Sequence, residues 1–155
     1  MRNTMKTAIA ALLFSFLLQA AQDPFLGTWK LNPEKSTLEK GAPPPPKGIT
    51  MTYTREGDGV KVTASVPLPD GSTRNIVHTQ SYDGKPHDRF EGKPNGETLT
   101  HRRINDRTEE TVWHKDAKVT ATTTRTVSAD GRTLTSVVRS PGRTEPDNVM
   151  VYDRQ

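Results

Sequence analysis

The sequence predicts an all-β protein, an antiparallel up-and-down barrel of about ten strands with one short helix after the first strand. Three observations predict it. Turn dipeptides recur at nearly regular intervals, at Asp58-Gly59, Asp70-Gly71, Asp83-Gly84, Asn95-Gly96, Asn105-Asp106, Asp116-Ala117 and Asp130-Gly131, and most of them favour the positive-φ turns that join adjacent antiparallel strands. The segments between them are rich in threonine and valine, which suit a pleated, half-buried surface. Gly27 and Trp29 supply what a barrel needs at its closure point: a glycine where the backbone bends sharply and a large aromatic to plug the end.

In chain order, residues 1–21 form a separate unit. Arg2 and Lys6 give positive charge, Ala8 to Leu18 is an apolar run, and Gln19-Ala20-Ala21 offers small residues for cleavage, the pattern of a signal peptide. The run is too short for the ~20 residues of a membrane-spanning helix, so no stable membrane insertion is expected once the leader is removed. Residues 22–155 are then a single domain, exported to the periplasm or secreted. Gly27–Leu31 is the expected first strand. Asn32 as a cap, Pro33 at the first helical position, Glu34 against the helix dipole and Gly41 at the C-terminal end predict a brief helix. Pro43 to Pro46 form a polyproline spacer. Strands are expected at Ile49–Glu56, Val60–Leu68, Thr73–Tyr82, Pro86–Glu91, Glu97–Ile104, Thr108–Lys115, Lys118–Ser128, Arg132–Ser140 and Asn148–Arg154. An open sheet or a sandwich is the competing architecture.

Composition narrows the function classes. The chain has no cysteine, which leaves no disulfide framework and no lipoprotein anchor. Its formal charge of +4 falls to +2 when Arg2 and Lys6 leave with the leader, and the remainder is scattered, which argues against nucleic-acid binding. Only 31% of residues are hydrophobic. That is little for a solid core of this length and suits a barrel whose interior is partly polar.

Treating each turn dipeptide as a two-residue loop fixes the register. Met51 then pairs with Val66, Tyr53 with Ala64, Leu99 with Val112, Val112 with Ala121, His114 with Val119, Val127 with Leu134 and Arg125 with Ser136. One face carries Leu99, Val112, Val119, Ala121, Val127, Leu134 and Val138 and, by alternation, His101, Arg103, Glu110, His114 and Arg125. A dry core would reject so many unpaired ionisable groups, and a wet cavity would accept them. The opposite face carries Glu109, Thr111 and a series of threonines. Trp113 also falls there, and a bulge near it would bring it inward and carry Glu110 outward.

The stretch Phe25-Leu26-Gly27-Thr28-Trp29-Lys30-Leu31, with the terminal Val151-Tyr152-Asp153, resembles the fatty-acid-binding proteins, and Gly27-x-Trp29 resembles the wider calycin signature shared with lipocalins. The resemblance implies a closed barrel with a cavity for a small, largely apolar ligand, in an exported bacterial relative of those proteins. Two departures stand out. The two lid helices are replaced by one short helix and a proline run. The Arg-x-Tyr that grips a ligand carboxylate is replaced by Met150-Val151-Tyr152, with Arg125 on the eighth strand as the substitute arginine.

The expected ligand-binding residues are therefore Arg125, His101, Arg103, Glu110, His114 and Tyr152, with Gly27 and Trp29 at the closure. Arg125, His101 and Arg103 would form a cationic spot for a carboxylate or phosphate head. The competing reading pairs Arg125 with Glu110 as a structural bridge. His101, His114 and Glu110 have the chemistry of a metal set, but the two histidines are not opposite one another, so no metal and no cofactor are expected. No serine elbow, cysteine nucleophile or phosphate loop is present, and an enzyme is not expected. The sequence thus points to a monomeric carrier of a small apolar or amphipathic molecule. A barrel with a filled interior that acts through its outer face is the alternative.

Overall fold

A computed structural model describes residues 22–89 and 95–155. The expected leader and the end of the strand expected at Pro86–Glu91 lie outside the described residues. The strands are β1 (Gly27–Thr37), β2 (Thr50–Glu56), β3 (Gly59–Pro67), β4 (Thr73–Gln80), β5 (Pro86–Asp88), β6 (Glu97–Asn105), β7 (Thr108–Lys115), β8 (Lys118–Val127), β9 (Thr133–Arg139) and β10 (Asn148–Arg154). They form one antiparallel sheet in the order β4-β3-β2-β1-β10-β9-β8-β7-β6-β5. Among the described residues the expected barrel is not closed by hydrogen bonds, because β4 and β5 are the two ends of this sheet and do not pair. It is rolled up by its side chains. His78 of β4 stacks on His101 of β6 with ring centroids 5.8 Å apart and planes 12° from parallel.

The helix expected after the first strand is absent, and β1 runs on to Thr37. Its capping chemistry is nonetheless present: the backbone amides of Glu34 and Lys35 both donate to Asn32 Oδ1, at 3.1 and 3.2 Å. That single turn is a bulge in the β1–β10 ladder, where pairing jumps from Asn32↔Val151 to Thr37↔Val149. Ser36 holds the bulge in place, receiving the Val151 amide on Oγ at 3.0 Å. A helix here would have had only Leu38 to bury, whereas the β10 edge offers backbone partners at once. Among the described residues no helix is long and apolar enough to cross a membrane.

The register explains which side chains face inward. The β8–β9 pairing agrees with expectation, with Arg125 opposite Ser136 and Val127 opposite Leu134. The β2–β3 turn lies one residue early, at Gly57-Asp58, so Tyr53 pairs with Val62 and Met51 with Ala64. A shift of two in the pairing leaves the faces unchanged. Strand β7 is different. The turn between β6 and β7 is Asp106-Arg107, with the Arg107 amide bonded to Asn105 Oδ1, and a bulge at Ile104 then brings Arg103 opposite Glu109 and Leu99 opposite Trp113. That one residue reverses the strand: Glu109, Thr111 and Trp113 face inward, and Glu110, Val112 and His114 face outward. A second irregularity at Thr120 keeps Ala121 opposite Trp113 and sends Val119 outward, 47% exposed.

One end of the rolled sheet is plugged by Phe25 and Trp29, both fully buried. Trp29 Nε1 donates to the Phe25 carbonyl at 2.8 Å. Arg154 lies over the indole at 4.1 Å from its centre and donates to the carbonyls of Leu26, Pro24 and Gly131. One guanidinium thus covers the tryptophan and ties three backbone segments together. Gly27 makes room for it. Its φ is +121°, and a Cβ there would lie 2.8 Å from Arg154 Nη1. Gly27→Ala is expected to lower stability by about 2 kcal/mol, from backbone strain and a displaced arginine, measured by urea denaturation. An unchanged midpoint would refute this account of the closure.

Candidate functional site

Above the plug, the inward side chains form a polar layer. Arg125 of β8 is directly opposite Glu109 of β7, because the irregularity at Thr120 shifts the β7–β8 register and the bulge at Ile104 makes the matching shift on the β6 side. Arg125 Nη1 lies 3.5 Å from Glu109 Oε1 and 3.3 Å from Thr111 Oγ1. Glu109, only 1% exposed, also accepts from the Tyr82 hydroxyl at 2.7 Å and, more distantly, from Tyr53 at 3.5 Å. Burial, reinforced by the Glu109 carboxylate, holds both phenols well above the usual tyrosine range, so they remain proton donors. Burial opposes the charge on Arg125. Its interactions with Tyr53 and Glu109 outweigh that and keep the guanidinium strongly basic.

The chain of contacts continues to the histidines. His101 is 1% exposed, and its Nδ1 lies 3.0 Å from Thr111 Oγ1. Thr111 already accepts from Arg125, so its own proton is free for His101 Nδ1, and the matching tautomer carries a hydrogen on Nε2. Burial lowers the His101 pKa to about 3 and that of its stacking partner His78 to about 4, with the nearby Arg125 acting in the same direction on both. Both rings are neutral at pH 7. At the other end, the single proton of Tyr82 goes to Glu109, and Gln80 Oε1 is assigned 3.0 Å from the same hydroxyl. Turning the amide over would let it donate there instead.

Besides the Gln80 amide nitrogen, two buried nitrogens of this network have no partner among the described residues, His101 Nε2 and Arg125 Nε. Both belong to side chains bonded to Thr111. Toward the end away from Trp29 the inward positions become apolar and half-buried: Ala64, Ile76, Trp113, Ala121, Val138 and Met150. Trp113 is fixed there by a 2.8 Å bond from Nε1 to Thr123 Oγ1. The base around Trp29, Tyr53, Val60, Val127 and Leu134 is packed, with none of these more than 1% exposed. The inner face is therefore less tightly packed at the apolar end than at the base. A separate cavity of about 530 Å³ lies outside the plugged end, between Pro24, Arg55, Asp58 and the Asp106-Arg107 turn.

The structure brings together only part of the expected residue set. Arg125, His101 and Tyr152 face inward and are buried. Arg103 also faces inward, but at the plugged end, where Asp23 pairs with it at 2.9 Å and it lies 4.5 Å from the rings of both Phe25 and Tyr82. With Arg103 neutralised and His101 uncharged, the expected three-residue cationic spot is reduced to Arg125. Glu110 and His114 face outward, and Glu110 is paired there with Arg102. The bridge expected between Arg125 and Glu110 is made by Glu109 instead. His101, His114 and Glu110 do not share a face, and no three metal-ligating side chains converge among the described residues. The reading by sequence missed Glu109, Thr111, Tyr82 and His78. The sequence reading placed a carboxylate opposite Arg125 but took it to be Glu110, one residue along the strand from the Glu109 that is there.

The buried layer can be tested by breaking and repairing its charge pair. Arg125→Met strands Glu109 and is expected to cost about 3–5 kcal/mol, while adding Glu109→Gln recovers most of it, read by chemical denaturation. An additive double variant would refute the pairing. The neutral histidines resist protons that the unfolded chain accepts from about pH 6.5 downward, so stability is lost as pH falls from there toward about 3–4 and is independent of these groups above it. His101→Gln is expected to reduce that acid-side slope by up to one proton. An unchanged slope would exclude His101 as its source.

No protein-family model matches the chain, and no curated sequence matches it. Solved structures do. The chain is similar to a point mutant of the fluorescent protein UnaG (TM-score 0.59, 19% identity, 85% of this chain and 96% of that one). It is also similar to a Schistosoma mansoni fatty acid binding protein in complex with arachidonic acid (0.59, 17%, 85% and 96%) and to the REP1-NXSQ fatty acid transporter (0.51, 15%, 84% and 95%). The described chain has the calycin-like fold of the fatty-acid-binding proteins.

Proposed function

We propose that this protein is an exported, monomeric binding protein for a small amphipathic molecule, held with its apolar part against the half-buried end of the rolled sheet and its head at the Arg125 layer. The observation that carries this reading is the pair of unpartnered nitrogens, His101 Nε2 and Arg125 Nε, beneath a half-exposed apolar collar. A filled interior would leave those groups desolvated with nothing in return, whereas a guest supplies the missing acceptor. The structural neighbours support it, being described as fatty acid binding and transport proteins. Export rests on the charge, apolar run and small residues of positions 1–21.

Binding rather than catalysis fits the histidine chemistry. His101 and Glu110 lie on opposite faces of the sheet, so they cannot act together as an acid–base pair, and the basicity of His101 is suppressed. The expected result is saturable uptake of an environment-sensitive apolar dye by the purified protein and its displacement by long-chain amphiphiles. Displacement should weaken by about tenfold or more in the Arg125→Met/Glu109→Gln double variant, through loss of a charged donor. A protein that leaves the dye in water overturns the reading. Recovery from cells with Gln22 as the first residue would support export, and retention of Met1 would oppose it.

A further inference from the structure

We infer that the site selects an uncharged, oxygen-accepting head, such as an ester, carbonyl or alcohol, over a carboxylate. This rests on the carrier reading above and concerns the same site. The inner face is already balanced in charge. Arg125 is matched from within the chain by Glu109, which is 1% exposed and also takes the Tyr82 hydroxyl. Glu109 thus occupies, in covalent form, the position in which a guest carboxylate would meet this arginine and tyrosine. The second inward arginine, Arg103, is satisfied by Asp23.

A guest carboxylate would therefore be a second negative charge in a layer that is already neutral, and an unmatched buried charge is strongly disfavoured. Arg125 Nε is an N–H donor still without a partner among the described residues, and His101 Nε2 is a second one in the tautomer in which Thr111 donates to Nδ1. An N–H donor is met by an uncharged oxygen as well as by a charged one, without adding a charge to the layer. His101 and His78 add no charge at neutral pH, since both rings are uncharged there.

The test is displacement of the apolar dye at neutral pH by three probes with one chain and different heads: lauric acid, lauryl alcohol and methyl laurate. In the unaltered protein the alcohol or the ester is expected to displace dye at a concentration about tenfold lower than the acid. In Glu109→Gln, which keeps the shape and removes the competing charge, the acid is expected to gain by about tenfold, so that the preference for the uncharged heads disappears. Preference for lauric acid in the unaltered protein overturns this inference while leaving the carrier reading intact, and this measurement stands even if the variant does not fold. Dye that does not bind at all overturns the carrier reading and this inference with it. Equal displacement by all three probes overturns head-group selection alone.

Discussion

The buried pairing of Arg125 with Glu109 sets the character of the interior. A guanidinium that is 9% exposed needs a carboxylate facing it, and only one of two consecutive glutamates can face inward. The bulges at Ile104 and Thr120 together select Glu109, and with that choice come Thr111 beneath His101 and Trp113 at the apolar end. Ile104 itself is left 55% exposed. An exposed isoleucine is a modest penalty beside a misplaced charge. Charge matching inside the sheet and the irregularities in the ladders on either side of β7 go together.

The plugged end is organised by a different cation. Arg154 covers Trp29 and collects carbonyls from the segment before β1 and from the β8–β9 turn. Arg103 does the corresponding work one side over, between two aromatic rings and bonded to Asp23. Segment 22–26 is thus locked under the sheet by two arginines, and Phe25 is driven inward. At the far end Arg89 lies 5.0 Å from the centre of the Trp113 ring and pairs with Glu97, and the inner face there is apolar and half-buried rather than packed shut.

The sequence announced the elements that depend on local chemistry. Gly27 and Trp29 mark the closure because a positive φ and a buried indole each demand a particular residue type. The β8–β9 register followed from the Asp130-Gly131 turn, and Asp116-Ala117 forms the expected two-residue turn with φ of 47° and 63°. Elements decided at long range were not legible. Asn32 caps a turn as its residue type suggests, but whether a turn grows into a helix depended on a strand 121 residues away at the Asn32–Asp153 contact. The orientation of β7 depended on a one-residue bulge that no composition rule marks, and so Glu110 and His114 were read inward in place of Glu109 and Thr111. His78 lacked any distinguishing neighbour in sequence, because its partner His101 lies on a strand it does not pair with.

The place of β1 in the sheet also governs when this molecule can come into being. Its neighbours are β2, next along the chain, and β10, far along it. A growing chain can zip β2 to β4 and β6 to β9 as hairpins, each from local turns, but the seam that joins the two halves waits for residues 148–154. Trp29 stays uncovered until Arg154 arrives. The chain therefore gains its last large block of order only after those residues have left the ribosome.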